Sequence, residues 1–356
     1  PLLSLISGLI SIFGFIYIGE LIKTNLNLVV EKYWEITVNL ILGIFTFSIS
    51  VQVLSFIRLN NNFTFSLLFI LLFCLSLKKI FETKFSPPKI NKNSFLPVVL
   101  LIAIFFIRIF ISIIPTTKID ELHYHMLLPL RLISESGLNY YSNPWEGAIW
   151  PHMQYQFIGA PFYALGLPDS LNVISILVFV IFLKNLFDLI NNQINNKELT
   201  LWCLVIVSSG LHSLIDLTTN ASNSLMLVSS SSSLLILCDP EKYIPSKNLK
   251  SFSLIFGLLS LGLISSKVSM IPICIIQVIL FLRTITTNWG TKSISKSLFY
   301  FSIPFLIFYL PILSYSWIKS GSPFGPLLSS LFVSNLSSDP LIKLASGQYL
   351  LKRSRS

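Results

Sequence analysis

Long apolar runs separated by short polar stretches repeat along the chain, and their number predicts its architecture. The hydrocarbon core of a membrane takes about 20 apolar residues per helix, and ten runs approach that length: 2–19, 37–58, 64–80, 96–114, 170–190, 199–216, 222–238, 251–265, 268–284 and 297–317. Between the fourth and fifth the pattern changes. Residues 120–137 are too polar to span and predict an amphipathic helix along the membrane surface, begun by Asp120 and stopped by Gly137. The run 153–168 is short and broken by Gly159, Pro161, Gly166 and Pro168, which predicts a re-entrant or interfacial segment. The expected fold is an all-α integral membrane protein with about ten transmembrane helices and a large outer loop holding that interfacial helix and re-entrant segment. Four regions follow: an N-terminal four-helix region (1–114), the outer loop (115–169), a six-helix region (170–317), and an outer Gly/Pro loop with a C-terminal tail (318–356).

Composition agrees. The chain is 53% hydrophobic and 11% charged, against about 25% charged in a soluble domain. Its net charge of +10 is explained by topology and implies membrane lipids, not nucleic acid, as partners. Lys78, Lys79, Lys84, Lys89 and Lys92 crowd one loop, Lys184 and Lys197 flank another, and Lys242, Lys247 and Lys250, then Arg283, Lys292 and Lys296, mark two more. By the positive-inside rule these loops are cytoplasmic, and the lysine-poor stretches around 116–156, 216–221, 265–270 and after Trp317 face the other side. The alternation holds only if 153–168 does not cross. The many Lys, Asn and Ile residues suggest an AT-rich bacterial genome, so the expected location is a bacterial inner membrane, multi-pass. Cys74, Cys203, Cys238 and Cys274 lie in or at the ends of apolar runs without zinc-site spacing, as lipid-facing or packing residues. The chain begins at Pro1 with no cleavable signal pattern, so the start of the natural chain is open, and it ends in a basic tail placed outside by this topology, which implies either a further crossing near 325–336 or a truncated sequence.

Candidate chemistry concentrates in residues 116–159, which hold three of the four histidines and four of the fifteen acidic residues. Asp120 and Glu121 follow directly after an apolar run, and carboxylates beside hydrocarbon are costly and usually functional. Asp120 precedes His123 and Tyr124 by one helical turn, and Glu121 stands four residues before His125. The same two acids also suit a helix N-cap and first turn. Asp-Glu-x-His-x-His is compatible with a divalent cation, but on a helix positions 123 and 125 point about 200° apart, and no metal site is assigned. Tyr140, Tyr141, Trp145, Trp150 and Tyr155 form an interfacial aromatic belt or a sugar-stacking surface. Arg108, inside the fourth run, is expected to snorkel toward Pro115, the alternative being attraction of an anionic lipid head. His212 is expected to be a packing or snorkelling residue. Lys267, in a tight outward turn, suits a phosphate group.

Asp120-Glu-x-x-Tyr-His, the Pro-containing amphipathic stretch after it, Ser136-Gly-Leu and Trp150-Pro-His together resemble the first large outer loop of the GT-C superfamily. These are multispanning glycosyltransferases that use polyprenyl-phosphate sugars, such as protein O-mannosyltransferases and the aminoarabinose transferase of lipid A. The turn Leu263-Ile264-Ser265-Ser266-Lys267 and the 317–326 loop are similar to later outer elements of bacterial members, so the resemblance covers roughly Ile113 to Pro326. It implies an inverting transfer of sugar from a polyprenyl-phosphate carrier to a hydroxyl of a glycan, lipid or protein. In that reading Asp120 is the general base, with Glu121 beside it as the second catalytic acid. His123, Tyr124, His125, Arg131, Trp150, His152 and Lys267 would bind donor or acceptor. Two features depart from the family: four runs precede the acidic loop where one is usual, and Asn220 and Asn223 stand where many members carry a second acid, which leaves a metal role without its usual ligand unless Asp216 substitutes. The competing class is a transporter or flippase for a lipid-linked or anionic substrate, whose mark would be paired half-repeats and broken helices with mid-membrane charge.

Overall fold

A computed structural model of the chain describes residues 2–83, 94–113, 127–135, 137–138, 154–210, 223–245, 248–266 and 270–320. Every regular element among them is helical. Inside hydrocarbon a segment has to satisfy its own backbone, which a helix does. The helices are α1 (Leu2–Asn25), α2 (Glu35–Phe56), α3 (Asn62–Glu82), α4 (Phe95–Ser112), α5 (Leu127–Ser134), α6 (Gln154–Phe157), α7 (Ala160–Ala164), α8 (Ser170–Ile194), α9 (Lys197–Ser209), α10 (Asn223–Cys238), α11 (Pro240–Tyr243), α12 (Leu249–Ser266), α13 (Ile271–Trp289), α14 (Ile294–Pro304) and α15 (Leu310–Ser320). A π-helical turn, Phe305–Tyr309, joins the last two. Among the described residues eight helices are long and apolar enough to cross a membrane: α1 to α4, α8, α12, α13 and the composite Thr291–Ile318. The chain is a multi-pass α-helical membrane protein. The remaining two expected spans correspond to α9, with 13 residues, and α10, with 16; residues 211–222 between them lie outside the described residues.

Polar residues set where helices begin and end. Asn61 caps α3 by accepting from Thr64 N at 2.9 Å, and Asn196 caps α9 by accepting from Leu199 N at 3.1 Å. Asn195, left-handed at φ 51°, stops α8, a conformation asparagine tolerates better than most residues.

The core is built on close helix crossings. A Cβ on Gly43 would fall on the Phe15 carbonyl, and one on Gly19 on the Asn39 carbonyl, so α1 and α2 touch backbone to backbone. Small residues at crossings are how membrane helices gain contact where burial from water contributes nothing. Around α10 the crossing is polar: Asn185 of α8 donates to Ser231 and Ser232 at 3.2 and 2.8 Å, Ser175 meets Ser224 at 3.0 Å, and Gln277 of α13 reaches Ser230 at 3.3 Å. The five serines 229–233 thus form a seam met by Asn185 of α8 and Gln277 of α13.

Contacts sort the loops into two ends. At one, the lysine end, Lys79 pairs with Glu20 and Lys23 with Glu35. There the α1–α2 connection is sewn to the start of α12: Glu31 N donates to Tyr243 O at 3.0 Å, Val29 N to Ser251 Oγ at 2.8 Å, and Lys250 Nζ to Leu26 O at 2.7 Å. Tyr243 packs on Trp34 and Tyr33 with ring centroids 5.4 and 5.7 Å away, and burial pushes both tyrosine hydroxyls above their ordinary pKa. At the opposite end Asn172 Nδ2 of α8 donates to Ser112 O of α4 at 3.2 Å, and Ser170 Oγ to Ser4 O at 3.0 Å. Ser112, at the end of α4, and Ser170, at the start of α8, therefore lie at one and the same end of the bundle.

Candidate functional site

At that end the described parts of the 113–169 stretch are held on α2, α3 and α15. Helix α5 buries Leu128, Pro129 and Leu132 and exposes Leu130, the one-sided pattern of an amphipathic helix, and it ends before Gly137 as expected. Asn60 Nδ2, buried in the α2–α3 connection, donates to Leu132 O. Arg131, a predicted binding residue, sits 3.9 Å from Glu135 one turn on. Leu138 N donates to Ser55 O at 3.2 Å, and Leu138 O accepts from the Tyr315 hydroxyl at 2.5 Å. Gly137 lies against Arg58, which ends α2 in the left-handed region at φ 58°, an uncommon setting for a long side chain.

Where the chain becomes described again, at Gln154, it is buried. Helices α6 and α7 are two short turns interrupted at Ile158 and Gly159, and Gln154 through Phe162 have almost no exposure. Gln154 is the fixed point. Its amide oxygen accepts from Gln52 Nε2 at 2.5 Å, its Nε2 donates to Phe308 O at 3.0 Å, and its backbone carbonyl accepts from Ser48 Oγ at 2.5 Å. One side chain thereby locks the segment to α2 and to the π turn. Satisfied buried amides of this kind hold one arrangement, because every alternative leaves polar atoms stranded. The π turn follows Pro304, which lacks the N–H that a regular helix would use. Asp169, just ahead of α8, makes no side-chain cap bond, and burial raises its carboxyl above the usual carboxylate range.

Of the predicted site residues, Arg131 alone is among the described ones; Asp120, Glu121, His123, Tyr124, His125, Trp150, His152 and Lys267 lie outside them. So do His212 and the loop after Ser320. Among the described residues no three His, Cys, Asp or Glu side chains group as metal ligands. The cysteines are free, Cys274 buried and Cys74 and Cys238 exposed.

One expectation is corrected. Arg108 does not snorkel: it is 1% exposed, donates to Ser208 O of α9 at 2.7 Å, and lays its guanidinium 4.3 Å from the Phe179 ring. The wall formed by α8 and α9 offers this charge a carbonyl and an aromatic face within reach, and both favour a cation. Sequence reasoning also passed over Gln52, Gln154 and Asn60. The available signal was an amide inside an apolar run, visible at Gln52, since such groups persist only where a partner meets them. Comparison of the chain with models of known protein families, with curated proteins and with solved structures gives no match.

Proposed function

We propose that the protein transfers a sugar from a polyprenyl-phosphate carrier to an acceptor hydroxyl at the non-cytoplasmic face of a bacterial inner membrane. The observation that carries the reading is the placement of the Asp120–Glu121 pair and its imidazoles directly after α4. Support comes from the bundle itself: among the described residues Arg108 is the sole charged side chain that is buried, so no carboxylate stands inside the described bundle. A proton-coupled pathway would ordinarily need one. The position of Ser112 and Ser170 at the same end supports reading 153–168 as re-entrant, with the lysine end cytoplasmic.

In this mechanism Asp120 takes the proton of the acceptor hydroxyl as its oxygen attacks the anomeric carbon. The bond to the carrier phosphate breaks on the opposite face, inverting the centre. Lys267 and Arg131 stabilise the charge gathering on the departing phosphate, while Glu121, His123, Tyr124, His125, Trp150 and His152 orient the sugar and acceptor. A transport reading has one observation in its favour, the serine seam of α10, where Ser229 Oγ and Asn185 Oδ1 are buried without a partner among the described residues.

The test is transfer of radiolabelled sugar from its polyprenyl-phosphate carrier by the purified protein. Asp120→Asn keeps size and capping capacity but cannot accept a proton, and activity should fall by about 10²- to 10⁴-fold. Near-normal turnover in both Asp120→Asn and Glu121→Gln would remove the site. Orientation is checked with single cysteines in a cysteine-free background: Lys118→Cys, Ala148→Cys and Ser322→Cys should react with an impermeant reagent from outside, and Lys89→Cys, Pro245→Cys and Lys292→Cys should not. Labelling of positions 148 and 245 from one side would refute the re-entrant reading.

A further inference from the structure

Between α4, α8 and α9 lies an apolar slot of about 470 Å³. Its walls are Val98, Ile102 and Phe105 of α4 facing Val180, Leu183 and Phe187 of α8. Ile102 and Val180, 48% and 39% exposed, open it to the surroundings of the bundle. The two ends differ. At one, Arg108 is committed to the Ser208 carbonyl and the Phe179 ring and closes the slot. At the other stands Lys184, whose side chain keeps 35% of its exposure while its Nζ lies 3.5 Å from Asp188 and 5.3 Å from the Tyr33 ring. Lys242 stands farther out, donating to Asn192 of α8 two turns beyond Lys184 at 2.9 Å. The slot is thus a dead-end hydrocarbon channel with one lysine at its mouth.

Its size selects an occupant. From Val98 to Arg108 is ten residues of helix, about 15 Å at 1.5 Å each, half of the roughly 30 Å hydrocarbon thickness and so the depth of one leaflet. Its volume takes roughly 15 methylene-sized units, at about 30 Å³ for a unit the size of water. A long polyprenyl chain would overrun the closed end; an ordinary acyl chain ends there. The mouth opens at the end that carries Lys78, Lys79, Lys242 and Lys250, where basic side chains meet an anionic leaflet surface. Asp188 takes up part of the Lys184 charge at 3.5 Å, but an ammonium carries three donors, so Lys184 keeps the capacity to meet a phosphate.

We propose that this slot binds one acyl chain of an anionic glycerophospholipid whose phosphate meets Lys184 at the mouth. The mouth of the slot is at the opposite end of α4 from Ser112, the end that precedes Asp120 in the sequence.

The experiment uses the full-length protein in zwitterionic phosphatidylcholine nanodiscs doped with phosphatidylglycerol that carries a photoactivatable diazirine in one acyl chain. Adducts should concentrate on the α4 and α8 peptides that hold Ile102, Phe105, Val180 and Leu183. The same label on phosphatidylcholine should give about fivefold less there, the effect of one lysine at an anionic surface. Lys184→Gln should erase that preference while keeping the adducts on the same peptides. Ile102→Trp, at an exposed position that fills the channel, should remove adducts of both lipids. Adducts spread evenly over all lipid-facing helices, or equal yields for the two headgroups in the unmodified protein, would overturn the proposal. The wild-type comparison decides it even if both variants fail to fold.

Discussion

Helices α2 and α12 differ from α3, α4 and α13 in where they sit, although all are apolar enough to cross a membrane. In their most apolar stretches α2 and α12 are 72% and 83% buried, against 17% for α3 and α4 and 22% for α13. Hydrophobicity does not separate the two groups; small and polar residues do. Buried α2 carries Asn39, Gly43, Ser48 and Gln52, and α12 carries Ser253, Gly257, Ser260 and Gly262. The outer helices bury a single stripe: Phe65, Leu72 and Ser76 in α3, and Cys274, Gln277, Phe281 and Ile285 in α13. Lipid is as apolar as leucine, so leucine has no preference for the centre, whereas a side chain needing a partner or a close approach does.

The contrast predicts a graded response to substitution. Gly43→Val places a branched side chain on the Phe15 backbone, and neither helix has a flexible group to withdraw. It should cost about 3 kcal/mol or more, seen as loss of a monodisperse folded peak and of cooperative thermal unfolding in detergent. A folded Gly43→Val protein of normal stability would break the claim that the α1–α2 crossing organises the core. Next in size, Gln154→Leu leaves Gln52 Nε2 with Ser48 Oγ alone and frees the Phe308 carbonyl, costing about 1–3 kcal/mol. Thermal unfolding indistinguishable from wild type would show that the amide network is not what holds α6. At the periphery, Phe106→Ala and Ile276→Ala, at positions 63% and 59% exposed, should stay within about 0.5 kcal/mol. A larger loss at either would mean that the outer face is covered by protein.

The same contrast explains how much was legible in the sequence. Span positions follow from run length alone, and each of the eight long helices overlaps an expected run. The helix before Gly137 and the break at Gly159 were signalled by residues whose local chemistry dictates them. Partners were not legible. Gln154 looks like any polar residue at the edge of an apolar stretch, and its meaning comes from Ser48 and Gln52, about a hundred residues earlier, and from the carbonyl of Phe308. Arg108 was read as reaching for water because water was the nearest polar partner along the chain; in space Ser208 is nearer.

The stitching of the α1–α2 connection to Tyr243, Lys250 and Ser251 constrains the order of events during synthesis. The bonds from Val29 and Lys250 close over 222 and 224 residues, so the first helical hairpin enters the bilayer long before its partner exists. At about 5–20 residues per second the wait is roughly ten to forty seconds. Through that interval Val29 N, Glu31 N and Leu26 O have water in place of their final partners. The last third of the chain therefore supplies partners that the first connection cannot find for itself.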